Sequence, residues 1–149
     1  MTTNLDLIAI TEHGDLARAM PTTLPIATEV ITATTDLYQR VGYEPPWIGY
    51  LAFDHEVCVG SCGFKSPPQD NRVEIAYFTF PGNESRGVAT RMASALIVIA
   101  REKAPGVKVA AQTLPEENAS TSVLKKLRFT LVGTVEHPED GLVWEWQLK

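Results

Sequence analysis

Residues 73–103 restrict the fold of this chain more than any other stretch. They read VEIAYFTF, then PGNESRGVAT, then RMASALIVIAREK. Val73, Ile75, Tyr77, Phe78, Thr79 and Phe80 are β-branched or aromatic, which predicts a strand. Pro81, Gly82 and Asn83 stop it. Val88, Met92, Leu96 and Ile99 then recur three or four residues apart, the period of one helix face. Pro105 and Gly106 end that helix, with Arg101 and Lys103 near its negative end. The first turn of a helix carries N–H groups without partners, and its dipole favours negative charge. A strand feeding a loop that opens a helix is therefore a ready anion site. Gly87 lets the backbone approach such an anion with no Cβ in the way.

Two common phosphate loops are excluded. A P-loop follows its second glycine with Lys and Ser or Thr, whereas Val88 and Ala89 follow Gly87 here. The G-x-G-x-x-G dinucleotide fingerprint is absent. What stands in its place is Glu84-Ser85-Arg86-Gly87-Val88-Ala89. It closely resembles the R/Q-x-x-G-x-G/A signature of the GNAT family of N-acetyltransferases. Glu84 departs from the usual Arg or Gln, at a position where the family's contacts are mostly main-chain. Residues 118–129 are similar to the family's N-x-x-S/A-x-x-x-Y-x-K-x-G-F segment. There Leu124 takes the place of the tyrosine that often protonates the leaving thiolate, Arg128 replaces a glycine, and Thr121 replaces Ser or Ala. The branch that acetylates ribosomal-protein N-termini tolerates the missing tyrosine. Glu74-Ile75-Ala76-Tyr77 is also close to that branch's E-I-G-Y. The resemblance covers residues 47–129.

The resemblance implies acetyl-CoA as the acetyl donor, no metal, and direct attack of a primary amine on the thioester. Ser85, Arg86, Gly87, Val88, Ala89 and Thr90 would line the pyrophosphate, the Thr90 hydroxyl adding a donor. Phe78, Thr79 and Phe80 would pair main-chain groups with pantetheine, and the Phe78 N–H would polarise the thioester carbonyl. Asn118 would bond the cofactor, cap its helix, or both. The acceptor would lie near the loop between the first helix and the second strand, against Tyr43, Glu44 and Trp47. It would be a small-molecule amine or a peptide or protein N-terminus. A homodimer is common among members.

Amine acetylation needs a deprotonated nucleophile, and the pKa is about 8 for an α-amine and about 10 for lysine. Glu74 is the candidate general base, directly or through water, because it shares a strand face with Ala76, Phe78 and Phe80. The alternative is a structural carboxylate paired with Arg72 or Arg91. Ser120 or Ser122 would replace the absent tyrosine, or are helix-surface hydroxyls. A second reading of the whole chain is a CoA-binding module without turnover, which Leu124 and Glu84 favour.

The rest of the chain supplies the frame. Residues 5–10 read as a strand, 25–40 as a helix, 47–53 and 56–64 as a hairpin turning at Asp54-His55. Residues 107–113 form a strand that a crossover from the 73–80 strand makes parallel to it. Pro115 opens a helix to Leu127, and residues 129–136 and 141–148 close the chain as a hairpin. This order matches the family plan: an α/β fold built on a mixed, twisted sheet of about seven strands with flanking helices. Its fourth and fifth strands splay to admit pantetheine.

At 149 residues the chain suits one acetyltransferase domain, residues 1–149, burying about 68–70% of its unfolded surface. A net charge of −5 argues against nucleic acid as a partner. No apolar run is long enough to span a bilayer, so no membrane role is expected. Cys58 and Cys62 lie four residues apart in a strand, about 13 Å, too far for a disulfide. They read as reduced thiols of a cytoplasmic protein. His13, His55 and His137 show no metal spacing, and Trp47, Trp144 and Trp146 read as core or edge-strand residues.

Overall fold

The computed structural model describes residues 5–21 and 24–148. The elements are β1 (Asp6–Ala9), α1 (Pro25–Val41), β2 (Gly49–Asp54), β3 (Val57–Phe64), β4 (Arg72–Thr79), α2 (Val88–Lys103), β5 (Lys108–Thr113), α3 (Ala119–Lys126), β6 (Thr130–His137) and β7 (Gly141–Leu148). The strands form one mixed sheet in the order β1-β2-β3-β4-β5-β7-β6, with β4 and β5 parallel and the other neighbours antiparallel. This is the mixed seven-stranded α/β plan expected from the sequence.

Helices cover both faces. A Cβ on Gly49 would meet Thr34 of α1, and one on Gly60 would meet Met92 of α2. Val88, Met92, Leu96 and Ala100 recur every fourth residue and are all buried, which seats α2 against β3 and β4. Burying a Leu- or Met-sized side chain contributes about 1.5–3 kcal/mol, so this stripe anchors the helix whose first turn faces the site. Leu124 of α3 is fully buried in the same core, along with Val73 and Ile75 of β4. Trp146 is buried too, and its Nε1 donates to Thr113 Oγ1 at 3.0 Å.

Two local expectations shift. The β2–β3 turn is His55-Glu56, not Asp54-His55, because Asp54 stays paired with Val57. His55 takes the left-handed conformation, with φ 59°, and its Nδ1 lies 3.0 Å from Asp54 Oδ1. The third helix begins at Ala119 rather than Pro115, because Asn118 forms a capping box. Asn118 Oδ1 accepts the Thr121 N–H at 3.0 Å, and Thr121 Oγ1 accepts the Asn118 N–H at 2.9 Å.

The feature that positions the site is the separation of β4 from β5. Arg72, Val73 and Glu74 pair with Lys108, Val109 and Ala110, and the pairing ends there. Beyond that point β4 follows β3 as far as Thr79, while β5 follows β7 as far as Thr113. The two central strands thus diverge toward their C-terminal ends.

Candidate active site

The divergence leaves main-chain groups open. Lys65 N–H bonds the Glu74 carbonyl and Phe80 N–H bonds the Val59 carbonyl, both at 2.9 Å, with unbroken register between them. Antiparallel alternation therefore turns the main-chain groups of Glu74, Ala76, Phe78 and Phe80 toward β3. The groups of Ile75, Tyr77 and Thr79 face the side where β5 has left. The expectation that the Phe78 N–H meets the thioester is corrected here, because that N–H is directed into the β3 ladder. Tyr77 and Thr79 present the open N–H and C=O groups.

A cleft of about 500 Å³ lies over this gap. Of the residues expected to hold the cofactor, Phe78, Thr79, Ser85, Gly87, Ala89 and Thr90 line it. Phe80, Arg86, Val88 and Asn118 do not contribute lining atoms. Phe80 and Val88 are buried in the core, and Arg86 is exposed with its carbonyl accepting from Arg91 Nη2 at 3.2 Å. The Asn118 side chain is engaged in its cap.

The loop is shaped to present amides. Ser85 and Gly87 are both left-handed, with φ 64° and 74°. Gly87 stands at the N-cap of α2 without a side-chain hydrogen bond. The Arg91 N–H to the Gly87 carbonyl, 3.0 Å, is the first helical bond, so the N–H groups of Val88, Ala89 and Thr90 have no partner within the helix. They and the helix dipole favour an anion at this end of the cleft. Glu84 Oε1 accepts the Gly82 N–H at 2.7 Å, which folds the acid onto the preceding turn.

A smaller cavity of about 190 Å³ opens on the α1 face of the sheet, between α1 and strands β2, β3 and β4. Tyr77 and Phe78 line both cavities, so the two spaces adjoin the same pair of β4 residues. Tyr43, Glu44 and Trp47 line neither. Tyr43 packs edge-on against Tyr38 with centroids 5.1 Å apart, and buried Trp47 packs against Phe64 at 5.0 Å. Trp47 N–H also bonds the Glu44 carbonyl, which closes that loop on itself.

Glu74 sits in an ion cluster. Its Oε1 accepts from Arg72 Nη2 at 3.2 Å. Its Oε2 lies 2.7 Å from Lys65 Nζ but off the direction of a hydrogen bond, and it is otherwise buried without a partner. Arg72 also grips both oxygens of Glu145 at 2.8 and 2.7 Å. This is the ion-paired arrangement with Arg72 that the sequence left open. Arg91 instead reaches the carbonyls of Gly87 and Arg86.

Sequence reasoning missed Tyr77, Ala119, Val123 and Lys126 of the cleft lining. Tyr77 Oη lies 3.2 Å from both the carbonyl and Oγ of Ser120, joining β4 to α3 across the gap. Burial raises the Tyr77 phenol above its ordinary range, and the Ser120 hydrogen bond partly offsets this. Lys126 lines the cleft from the last turn of α3. Ala119, Ser122 and Lys126 follow helical spacing within the 115–127 helix expected from the sequence, but which face of it lines the cleft is set by the packing of α3 beside β4. Among the described residues, no group of three or more His, Cys, Asp or Glu side chains forms a metal site.

Comparison with known proteins agrees with this geometry. Residues 4–130 match the family model of the acetyltransferase (GNAT) domain. No curated protein matches the sequence significantly. Among solved structures, RimL, a ribosomal L7/L12 α-N-protein acetyltransferase in its apo form, superposes with a TM-score of 0.71 at 18% identity, over 99% of this chain and 94% of that one. A Salmonella typhimurium acetyltransferase that modifies the N-terminal serine of 50S ribosomal subunit protein L7/L12 gives 0.70 at 16% identity, over 99% and 95%. A second Salmonella typhimurium structure, yncA with its cofactor acetyl-CoA, gives 0.63 at 18% identity, over 99% and 94%. The family match spans most of the chain, and the splayed strands and uncapped helix start lie within it: this protein belongs to the GNAT family of acetyltransferases.

Proposed function

We propose that this protein, as one domain, moves the acetyl group of acetyl-CoA to a primary amine by direct attack on the thioester. The observation that carries this reading is the β4–β5 gap, which opens beside the free amides of α2 and shares Tyr77 and Phe78 with the lining of a second cavity. In this reading the amides of Val88, Ala89 and Thr90 take the pyrophosphate. The main-chain groups of Tyr77 and Thr79 take the amides of pantetheine. The thioester then rests beside Tyr77 and Phe78, and the amine arrives through the α1-side cavity. A donor N–H from the gap stabilises the oxyanion as the tetrahedral centre forms. The Tyr77–Ser120 hydroxyl pair meets the departing thiolate, a task that fully buried Leu124 cannot perform. Glu74, beside Lys65 at the edge of the cavity, acts as general base through water.

The solved relatives named for N-terminal acetylation support a peptide N-terminus among the acceptors. An α-amine with a pKa of about 8 is already partly neutral near pH 7, which lessens the demand on a base. Cys58 and Cys62 are free and buried, in keeping with a cytoplasmic setting.

Thermal unfolding with acetyl-CoA, CoA, ATP and NAD in parallel tests the cofactor. A ligand at ~100 times its dissociation constant adds about 2.7 kcal/mol. Stabilisation by both CoA species but not by ATP or NAD is expected, and no response to either CoA species would refute the reading. Amine-dependent release of CoA thiol then tests turnover, and Glu74→Gln should lower kcat. An unchanged kcat in that variant removes Glu74 as base. A non-catalytic CoA-binding module is the second reading, favoured by the ion pairing of Glu74 and by Leu124. CoA-dependent stabilisation with no acetyl transfer to any amine would select it.

A further inference from the structure

The α1-side cavity owes its existence to one row of the sheet. Gly49 of β2 pairs with Gly63 of β3, and Gly63 pairs with Ala76 of β4. Three neighbouring strands thus present almost no side chain at one level of the face that α1 covers. Neither glycine can be enlarged, since a Cβ on Gly49 would stand 2.7 Å from the Thr34 methyl and one on Gly63 would stand 2.7 Å from the Ile48 carbonyl oxygen. Val30 and Leu37 of α1 and Phe78 of β4 supply apolar walls.

The polar groups that line this space are accounted for, with one exception. Thr34 Oγ1 donates to the Val30 carbonyl, Tyr50 Oη to the Pro46 carbonyl, and Tyr77 Oη pairs with Ser120. Lys65, the one charged residue of the lining among the described residues, is ion-paired with Glu74. Ser61 is 8% exposed, lines the cavity, and has no hydrogen-bond partner for its hydroxyl among the described residues. Glu74 Oε2 is the buried side-chain polar atom without a hydrogen bond among the described residues, so the unpartnered Ser61 oxygen is reached from the cavity and is open to a ligand there. Ser61 lies directly across from Phe78, which lines both cavities.

Resting on the transferase reading above, we propose that the acceptor is a monoamine bearing a small, uncharged group. The Ser61 hydroxyl accepts a hydrogen bond from its nitrogen, and the substituent fills the space above the Gly49–Gly63–Ala76 row. The described lining offers no carboxylate to a second cation, and Glu74 beside it is already held by Lys65 and Arg72. Polyamines are therefore poor acceptors, and the long lysine side chain exceeds what a space of about 190 Å³ accommodates. Bulky substituents are excluded by volume.

The test measures CoA release with glycinamide, alaninamide, serinamide, tryptophanamide, spermidine and Nα-acetyl-lysine, using wild type, Ala76→Leu and Ser61→Ala. Ala76 is exposed, so leucine there fills the cavity without disturbing the core. The small amides should be turned over best. Ala76→Leu should lower their kcat/KM by about ten-fold or more, and Ser61→Ala by about three- to ten-fold. CoA-induced thermal stabilisation should persist in both variants. Turnover of spermidine or Nα-acetyl-lysine equal to that of alaninamide would overturn the inference, as would undiminished kcat/KM in Ala76→Leu. CoA binding with turnover of none of these amines overturns it while leaving the cofactor reading intact. Absence of CoA binding overturns the transferase reading itself.

Discussion

Replacing Arg72 with methionine should destabilise the protein by about 2–3 kcal/mol at neutral pH. Arg72 ties β4 to β7 across β5, at the root of the gap, by donating to both oxygens of Glu145 and to Glu74. The Glu145 and Glu74 side chains are only 8% and 12% exposed. Stripping a buried carboxylate of its cation costs about 3–5 kcal/mol. The figure is lower here because Arg72 is itself 33% exposed, Gln112 and Gln147 continue to donate to Glu145, and Lys65 remains on Glu74. The pH dependence should also change sign. Burial by itself would raise the Glu145 carboxyl, but hydrogen bonds from Arg72, Gln147 and Gln112 outweigh it and hold the pKa below the usual range. A depressed pKa contributes stability above the unfolded value of about 4.3, and that contribution is lost as pH falls through the folded value. In Arg72→Met burial loses its main opponent and the folded pKa moves above the unfolded one. The variant should then gain stability as pH falls from 7 toward about 5. Urea unfolding at both pH values reads the two effects. Arg72→Met/Glu145→Met should recover most of the loss, because removing a whole buried pair is far less costly than orphaning half of it. A single-variant loss below about 1 kcal/mol, the range of an exposed pair, or one that does not shrink at the lower pH, would refute the reasoning.

Gly87→Val should cost about 1–2 kcal/mol of stability, since Gly87 is left-handed and an added Cβ would meet no atom within 4 Å. It should also weaken CoA binding in titration calorimetry by about ten-fold or more, because the backbone there approaches the anion; an unchanged affinity would remove this loop from the binding site. Asn118→Ala should lower stability by about 1 kcal/mol through loss of the α3 capping box, and differential scanning calorimetry showing no change would contradict the capping role. Burial pushes the Cys58 thiol up to about 11 and the Cys62 thiol up to about 12. The native protein should therefore show no fast reaction with a disulfide reagent at about pH 8, and rapid labelling of either thiol would show that the β3 strand opens.

The sequence by itself determined the order of elements, the α/β plan, and the loop that opens α2. These depend on local chemistry. Aromatic and β-branched runs make strands, the Val88–Met92–Leu96 spacing makes a helix face, and Gly87 with no side-chain cap leaves amides free. The same local rules misplaced the start of α3 by a few residues, because Pro115 signals a boundary whereas the cap is set by the reciprocal bonds of Asn118 and Thr121. What only tertiary structure decided was direction and company. Which of Phe78 or Tyr77 turns its amide to the gap depends on the register between β3 and β4, and a shift of one residue would exchange them. Glu74 is an acid on a strand in the sequence, and the fold surrounds it with Lys65 and Arg72. Gly49, Gly63 and Ala76 are far apart in the chain and become one row only through two pairings. Local propensity acts over a few residues of chain. A cavity is made by residues brought together from three strands and a helix, and no window on the sequence contains it.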